Sequence, residues 1–376
     1  MPENKRNIYH ITINPIDFER RIQNQAESAQ QAGYQVNVIA LAKPAQRSQN
    51  NPFCFALIRL KTPFYQGGLL KFLHFNWKIF WSLLFRQIDI LHCHDLWVMP
   101  AAWMLKIVKN NRLIYDAHEF YAGLEIFNRH KIRKKIWMAL EYLAIPSVDV
   151  LLTVSEPLAG LYRQKYKRLT EVKVIRNMPK LESRKNKNPV VKFPLTSHPV
   201  IIYQGHFRPG RGLVNLIHAI PLTDNTHLML VGGGELESEL RKLVEYYHLT
   251  DRVTFLGYVP TADLISISAQ ADLGVVLFEP TSLNYAYALP NKFFEYVMAG
   301  IPVLASAIDT FKAYIAQYDL GLTVNPSNSQ AIAAGIRTML SDPEKMSVWR
   351  KNAEQAAKIL NWNHESVKMN AIYERI

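Results

Sequence analysis

The chain has 376 residues, of which 49% are hydrophobic and 20% are charged, the balance of an ordinary globular protein. This length predicts two domains, each large enough to bury a core of its own. The net charge of +13 predicts partners that carry anionic groups such as phosphate, whereas nucleic acid is not expected because no zinc-finger, RRM-like or KH-like signature occurs.

The N-terminal segment and the cysteines narrow the class of protein further. The first fifteen residues contain no apolar core before a cleavage site, and no run approaches the ~20 apolar residues of a membrane-spanning helix. Cys54 and Cys93 are the only cysteines, which is too few for a disulfide framework. These features predict a cytoplasmic protein.

The first half of the chain alternates short β-rich runs with segments of helix length. A helical stretch from Asp17 to Ala32 separates the first two runs. Most runs are continuously apolar, which is typical of parallel strands buried on both faces. The predicted strands are NIYHITI, QVNVIAL, IDILHCH, RLIYDAH and VDVLLTVS. This β-α order predicts a doubly wound, mostly parallel sheet.

Two segments of the first half are unusually aromatic or basic. Residues 64–86 hold eight aromatic side chains, and NRHKIRKKIWMALEYLAI joins a cationic start to an apolar continuation. Basic amphipathic helices with aromatic residues can lie on anionic lipid, here at the inner face of the membrane. The alternative interpretation is that the aromatic side chains belong to the core and that the basic turn is solvated.

Polar side chains follow two strands of the first half. His92 and His94 flank Cys93 at one strand end, and the next strand ends at Asp116, with His118 shortly after. Histidine and cysteine at this spacing could indicate a metal site, but no further ligands follow in a set pattern. Two interpretations of these polar residues remain open: a catalytic site, or a hydrogen-bonded network without a chemical role.

A polar, basic segment with several prolines, residues 178–199, has the composition of a linker. The alternation then restarts, with predicted strands PVIIYQG, THLMLVGGG, RVTFLGYVP, DLGVVLF, IPVLAS and LGLTVNP. The sequence predicts one Rossmann-like domain over 1–180, a second over 181–358 and a C-terminal helix over 359–376. In such sheets ligands bind beyond the carboxyl ends of the strands, so the expected site lies in a cleft between the domains.

The first strand of the second half ends in the turn YQGHFRPGRG. Gly205, Gly210 and Gly212 allow a tight turn, and Arg208 and Arg211 place guanidinium groups beside it. Guanidinium groups match phosphate oxygens well, so this turn is a candidate phosphate site. An ordinary turn with solvated arginines is the alternative. The turn YQGHFRPGRG is not a P-loop, because it lacks the sequence Gly-Lys-Ser/Thr.

A run of three glycines, Gly232 to Gly234, follows the next strand and precedes an acidic first helical turn. Backbone could approach a nucleotide there, or the glycines serve only to shape the turn.

The most specific segment is FEPTSLNYAYALPNKFFEYVMAGIPVLAS. Pro290 begins a helix predicted over residues 291–299, which ends at Gly300. The free N–H groups of a helix N-terminus bind anions. Glu295 lies more than one turn into this helix and could accept hydrogen bonds from a pair of ribose hydroxyls. The alternative is a glutamate on the helix surface.

The order of these stretches resembles the retaining glycosyltransferases of family 4, which have the GT-B architecture of two Rossmann-like, doubly wound domains facing across a cleft. The segment LPNKFFEYVMAGIPVLAS matches a common form of the family's last donor-site motif. The resemblance implies that Glu295 holds the ribose and that Arg208 and Arg211 contact the diphosphate. It also implies that backbone from Tyr287 to Asn291 cradles the phosphates.

The resemblance extends more loosely to the first half, where DAHE is similar to the family segment that faces the sugar and the acceptor. It implies that His118 meets the donor sugar or the acceptor and that Glu119 orders the loop. Asp17 and Arg20 resemble a variant of the family's first helix start, a structural or acceptor-side position. The C-terminal helix is expected to pack back on the first domain.

Together these arguments define two sets of candidate site residues. The candidate catalytic residues are His118, Glu119, Arg208 and Arg211. The candidate donor-binding residues are Gly205, His206, Gly233, Gly234, Tyr287, Ala288, Leu289, Pro290, Asn291 and Glu295. Two of these positions depart from the family pattern. Tyr287 stands where many relatives have the first of two glutamates. His206 stands at the family's basic position directly after the first glycine of the turn, and Arg208 follows two residues later.

The implied reaction moves a sugar from a UDP- or GDP-sugar to a hydroxyl of a glycan or lipid-linked glycan, with retention of anomeric configuration. No metal or other cofactor is expected, because cationic side chains and a helix N-terminus can supply the charge. The alternative function is a non-catalytic nucleotide-sugar-binding or scaffold subunit of a glycan-assembly system, which the substitution at Tyr287 keeps open. A nucleotide-sugar epimerase would need acid–base groups that the sequence does not place.

Overall fold

The computed structural model describes residues 5–43, 51–65, 67–124, 131–181, 193 and 198–376, the side chain of Phe18 excepted. The chain divides into two compact units. Unit 1 comprises Met1–Arg176 together with Glu365–Ile376, and unit 2 comprises Asn177–His364. The sequence places the domain boundaries after residues 180 and 358. Most of the predicted linker over 178–199 lies outside the described residues.

Unit 1 is built on a wholly parallel sheet of seven strands. The strands are β1 (Asn7–Ile11), β2 (Gln35–Leu41), β3 (Ala56–Leu60), β4 (Ile90–His94), β5 (Arg112–Asp116), β6 (Val150–Thr153) and β7 (Val172–Val174). Their order across the sheet is β3-β2-β1-β4-β5-β6-β7. The two edge strands were not predicted from the sequence, because β3 is only half-buried and β7 has three residues, so neither shows a long apolar run.

The helices of unit 1 connect these strands. They are α1 (Arg20–Gln31), α2 (Leu69–Leu84), α3 (Met99–Lys109), α4 (Lys131–Ala144) and α5 (Glu156–Lys165). The last helix of the chain, numbered α14 (Trp362–Arg375), runs from the end of unit 2 into unit 1. Across the ranges that the structure describes, no helix combines the length and apolar character needed to cross a bilayer.

Unit 2 is built on a second parallel sheet, of six strands. They are β8 (Val200–Gln204), β9 (His227–Val231), β10 (Val253–Gly257), β11 (Leu273–Val276), β12 (Val303–Ser306) and β13 (Gly321–Val324), in the order β10-β9-β8-β11-β12-β13. Its helices are α6 (Leu213–Ala219), α7 (Glu237–Tyr246), α8 (Leu264–Ser268), α9 (Leu283–Ala286), α10 (Asn291–Ala299), α11 (Asp309–Tyr318), α12 (Ser329–Leu340) and α13 (Pro343–Ala357).

Both sheets reverse their direction of winding at one point, and the candidate residues cluster there. In unit 1 the reversal lies between β1 and β4, and in unit 2 it lies between β8 and β11. Loops that follow the strands at such a point diverge and leave a crevice, which is where ligands bind in doubly wound sheets. The predicted α/β class with doubly wound parallel sheets is confirmed in each unit.

Candidate functional site

In unit 2, the turn after β8 and the segment after β11 lie side by side at the point of reversal. The amide N–H of Glu279 donates to the carbonyl of Gly210 at 3.0 Å, and the Tyr285 hydroxyl donates to the carbonyl of Pro209 at 3.4 Å. Gly210 has a φ of +73°, and a Cβ there would lie 2.3 Å from the Tyr285 ring. The glycine is therefore required by this contact.

The glycine run after β9 packs its backbone directly on the same turn. A Cβ at Gly232 would lie 2.1 Å from the carbonyl oxygen of Gly205, and one at Gly234 would lie 2.4 Å from that of Phe207. The carbonyl of Gly233 accepts from Phe207 N at 2.9 Å and from His206 Nδ1 at 2.7 Å. Two of the three glycines thus serve the contact between loops, and His206 carries its proton on Nδ1 in the neutral form.

The two arginines of this turn have different surroundings. Arg208 is exposed. Arg211 lies over two aromatic rings, with its guanidinium carbon 4.1 Å from the centroid of Phe278 and 5.0 Å from that of Tyr285. Its Nε is buried without a hydrogen-bond partner among the described residues. Stacking holds the guanidinium in place and leaves that donor free for an anionic ligand.

Helix α10 begins at Asn291 after Pro290, which is in an extended conformation, and ends at Gly300 with a φ of +75°. The predicted span of 291–299 is confirmed. Glu295 is only 5% exposed, so the alternative of a surface glutamate is wrong. Its carboxylate accepts a hydrogen bond from Nε2 of Gln204, the last residue of β8. Glu295 therefore reaches the strand end from which the glycine turn departs.

Lys292 is a buried lysine at this site that was not predicted from the sequence. Its Nζ lies 3.6 Å from the centroid of the Tyr203 ring, and a Cβ at Gly205 would lie 3.2 Å from that Nζ. Burial lowers the pKa of Lys292 well below its usual value, and the charge of Arg211 lowers it further, while Glu295 opposes the shift. The only signal in the sequence was a lysine in the first turn of a helix already expected to bind an anion.

The other predicted donor residues lie on the short connection between two helices. The hydroxyl of Ser282 caps α9, and Tyr287, partly buried, is the first residue after that helix. Leu289 is buried, and Asn291 is exposed at the start of α10. The connection thus joins α9, whose Tyr285 ring stacks on Arg211, to α10, which carries Lys292 and Glu295.

In unit 1, three histidines stack at the corresponding point of its sheet. His10 of β1 is paired in register with His92 of β4, and side chains two residues apart share one face of a strand, which adds His94. The ring centroids of His92 lie 4.6 Å from His10 and 4.3 Å from His94. All three are fully buried, and burial lowers their pKa values, so they are neutral.

One hydrogen bond joins two histidines of the stack, and another joins the stack to a tyrosine. His10 Nδ1 lies 2.9 Å from His94 Nε2, and His92 Nδ1 lies 2.8 Å from the hydroxyl of Tyr373. Tyr373 belongs to α14, so the C-terminal helix contributes directly to this face of the first sheet. Cys93 points to the other face of β4, which separates it from the two histidines that flank it in sequence.

Asp116 at the end of β5 is the buried charge of this cluster. Arg21 of α1 donates to both carboxylate oxygens, at 2.8 Å and 2.7 Å, and Gln25 donates at 2.9 Å. Burial acts to raise the pKa of Asp116, but the charges of Arg21 and His118 outweigh it and hold the pKa well below its ordinary value. Asp116 is therefore an anion at neutral pH.

His118 lies between two carboxylates, with Nδ1 3.5 Å from Asp95 Oδ2 and Nε2 3.6 Å from Asp116 Oδ2. Burial acts to lower the pKa of His118, but the two carboxylates raise it to about 9, so the ring is an imidazolium at neutral pH. Asp95 has a φ of +68°, a conformation that costs about 1–3 kcal/mol for a residue other than glycine. This strained residue also accepts a hydrogen bond from the amide of His118.

The remaining predicted residues of unit 1 have structural contacts. The carbonyl of Glu119 accepts a hydrogen bond from Tyr162, and the residue is exposed. Asp17 pairs with Lys43 and Arg59 at 3.3 Å and 3.7 Å.

Two groups in this cluster bring potential metal ligands within 4.8 Å of one another. They are His10, His92 and His94, and His94, Asp116 and His118. In the first group, two histidine nitrogens are hydrogen-bonded to each other, and in the second the carboxylate is already neutralised by Arg21. These residues fit a hydrogen-bonded network around one buried anion better than they fit a cation site.

Comparison with known proteins shows that both halves of the chain match family models. Residues 184–356 match glycosyl transferases group 1, and residues 18–182 match glycosyltransferase family 4. An uncharacterized glycosyltransferase of Bacillus subtilis, YqgM, is 24% identical over 304 residues, which are 77% of this chain and 79% of that protein.

Solved structures share the fold over nearly the whole chain. Sucrose-phosphate synthase from Thermosynechococcus elongatus aligns with a TM-score of 0.81 at 20% identity, covering 99% of both chains. HepE from Anabaena in complex with UDP-glucose aligns with a TM-score of 0.78 at 16% identity, covering 98% of this chain and all of that one. The fold is therefore that of the GT-B enzymes, with two Rossmann-like units.

Proposed function

The chain belongs to the group 1 glycosyltransferases of family 4, and we propose that it transfers a sugar from a nucleotide diphosphate sugar to a hydroxyl of a glycan or lipid-linked glycan with retention of configuration. The observation that carries the proposal is the convergence of Arg211, Lys292 and Glu295 on the glycine turn after β8. Two cations beside exposed backbone suit a diphosphate, and a carboxylate suits two vicinal hydroxyls. The presence of UDP-glucose in the HepE structure supports this class of donor.

In this proposal, the donor diphosphate lies against the turn from Gly205 to Gly212 and the start of α10. The buried Nε of Arg211 and the ammonium of Lys292 stabilise the charge that develops on the leaving phosphate. Arg208, which is exposed, adds its positive charge to this field. The carboxylate of Glu295 accepts from the ribose hydroxyls, and backbone from Tyr287 to Asn291 contacts the phosphates. These cations and the helix N-terminus make a metal unnecessary.

Unit 1 supplies the second part of the proposed mechanism. His118, held as an imidazolium by Asp95 and Asp116, donates a hydrogen bond to the reacting sugar or to the acceptor. It cannot act as a general base while protonated, so the acceptor proton passes to the leaving phosphate oxygen during same-face transfer. This assigns His118 to electrostatic stabilisation and Asp116 to its positioning.

The test is a thermal-shift screen of the purified protein against UDP, GDP, ADP and their common sugar conjugates. Ligand binding to the native state raises the melting temperature, and the rise grows with the logarithm of the ratio of ligand concentration to Kd. A shift with one nucleotide class that is lost in Glu295→Ala but kept in Glu239→Ala, an exposed carboxylate on α7, supports the donor site. No shift with any nucleotide contradicts it.

Turnover separates the enzyme from the scaffold alternative. With the donor identified, release of free nucleotide in the presence of glycan acceptors, unchanged by EDTA, is expected. The anomeric proton coupling in the NMR spectrum of the product then reports retention. Donor binding without turnover on any acceptor would favour the alternative of a non-catalytic subunit, in which Tyr287 replaces a glutamate of the donor site.

A further inference from the structure

Helix α2 is apolar on two opposite faces. On one side, Phe75, Ile79 and Leu83 are fully buried. On the other side, Trp77 is 59% exposed and Trp81 is 49% exposed. A helix that is apolar all round is normally enclosed on all sides, so the outer face of α2 is an exception that calls for a partner.

The exposed apolar side chains of α2 form one stripe. Their spacing of three or four residues places them on the same side of the helix. They are Leu69, Leu70, Leu73, Trp77 and Trp81, and the stripe continues to Phe85 just past the helix end, which is 85% exposed.

The two following helices extend the stripe into a broad surface. Helix α3 packs against α2, and α4 packs against α3. Phe72 of α2 and Trp137 of α4 are also in ring contact, with centroids 5.6 Å apart. The exposed apolar side chains of α3 are Met104, Ile107 and Val108, and those of α4 are Ile132, Ile136, Tyr142 and Leu143. We call the exposed apolar side chains of α2, α3 and α4, with Phe85, the apolar face.

The charge of these three helices is strongly one-sided. The cations that they carry are Lys71, Lys78, Lys106, Lys109, Lys131, Arg133, Lys134 and Lys135. Their one acidic residue, Glu141, is 1% exposed and accepts hydrogen bonds from Tyr115 and Lys165 in the interior. Lys106 is 15% exposed and is paired with Asp149 at 2.9 Å, so the surface is formed by the other seven cations and the apolar groups, without an exposed carboxylate on these helices.

We propose that unit 1 docks on an anionic lipid bilayer through the apolar face. The apolar side chains enter the boundary between headgroups and acyl chains, and the lysines and arginines of the same helices contact lipid phosphates. Tryptophan is well suited to that boundary because its ring is apolar and its N–H is polar. An interfacial position needs no spanning helix, and α2 has only 16 residues.

Charge decides between a bilayer and other occupants of this face. A second copy of the chain would place seven cations of its own against the seven here that remain after Lys106 pairs with Asp149, and like charges repel, whereas anionic headgroups neutralise them. The surface also does not depend on donor binding, so it can be tested even if the nucleotide-sugar proposal fails.

The experiment is flotation of the full-length protein with vesicles of phosphatidylcholine alone or with about one third phosphatidylglycerol. Binding is expected only to the anionic vesicles, with loss in high salt because surface electrostatics are screened. Tryptophan emission should shift to shorter wavelength on binding, as Trp77 and Trp81 leave water. No binding to anionic vesicles, or equal binding to both kinds, overturns the proposal.

Two variants locate the surface. Trp77→Gln with Trp81→Gln, and Arg133→Glu with Lys134→Glu and Lys135→Glu, should each weaken binding by about tenfold or more. The controls lie on unit 2, where Tyr246→Gln with Val348→Gln changes two exposed apolar residues, and Lys242→Glu with Lys351→Glu and Lys358→Glu changes three exposed cations. Equal weakening by the controls overturns the assignment.

Fold and self-association are measured on the same samples. Circular dichroism and melting temperature must match the unmodified protein, since the exchanged side chains are exposed. Light scattering after size exclusion reports the mass in solution. A dimer that is lost in the Trp77→Gln, Trp81→Gln variant, without any vesicle binding by the unmodified protein, would assign the face to a second copy and overturn the lipid proposal.

Discussion

Arg21 and Asp116 form a two-pronged ion pair inside unit 1, although 95 residues separate them in the chain. Both side chains are almost completely buried. The pair keeps a negative charge at the end of β5, and that charge faces the rings of His92, His94 and His118 at 3.4–3.7 Å. None of the three imidazole nitrogens that point at this carboxylate has another hydrogen-bond partner among the described residues.

The first prediction concerns the pH dependence of stability. The folded-state pKa of His118, about 9, lies above the ordinary value of 6.5. Its protonated form therefore contributes stability that is fully present below about pH 6.5 and is lost as the pH rises through about 9. The free energy of unfolding should exceed that of His118→Gln by about 1–3 kcal/mol at pH 6, and the difference should vanish near pH 10. A difference that does not change with pH would contradict the imidazolium.

The second prediction concerns the C-terminal helix. Tyr373→Phe removes the hydroxyl that lies 2.8 Å from His92 Nδ1 and leaves that buried nitrogen unpaired. Unfolding by denaturant should show a loss of about 1–3 kcal/mol. Val367→Ala, on the same helix and 68% exposed, is the control and should cost less than about 0.5 kcal/mol. A loss in Tyr373→Phe no larger than in the control would show that the hydrogen bond does not anchor the helix.

The third prediction concerns Lys292. Its buried ammonium is unfavourable without a ligand, because the pKa is lowered by burial and by Arg211. Lys292→Met should therefore leave the melting temperature of the free protein unchanged or raised. It should weaken binding of the nucleotide diphosphate by about tenfold or more, measured by calorimetry. Lys312→Met on α11, where the side chain is half exposed, is the control. Unchanged affinity in Lys292→Met would remove this residue from the donor site.

The fourth prediction compares two glycines. Gly234 has a φ of +157°, and its Cβ would lie 2.4 Å from the carbonyl oxygen of Phe207, so Gly234→Ala should destabilise unit 2 by at least about 2 kcal/mol. Gly160 lies inside α5 with nothing within 4 Å of a built Cβ, so Gly160→Ala should stabilise by about 0.5–1 kcal/mol. Thermal unfolding measures both. A Gly234→Ala protein that is as stable as the unmodified protein would contradict the contact between the loops.

Several elements could be predicted closely because their signals are local. Strand β2 covers the run QVNVIAL, and α10 covers the predicted 291–299. The helix expected from Asp17 begins slightly later, at Arg20. Apolar runs, proline at helix starts and glycine at helix ends all act within a few residues, so they can be read along the chain.

The cluster around Asp116 could not be predicted, because its members come from distant parts of the chain. Arg20 was the arginine expected to matter at the start of α1, but the buried partner of Asp116 is Arg21, and nothing local in the sequence distinguishes the two. His10 looked like an ordinary strand residue. Its place beside His92 depends on the register between β1 and β4, and Tyr373 enters from a helix more than 280 residues away.

The sequence by itself determined the class of fold, the two strand-end loops of unit 2 and the family, because each depends on patterns of a few neighbouring residues. Only the tertiary structure decided which polar residues share a site. It buried Glu295 against Gln204 and Lys292 beside Gly205, gave His118 two carboxylates and left Trp77 and Trp81 exposed. Charge and burial depend on neighbours brought together by sheet order and helix packing, and a linear pattern does not contain those neighbours.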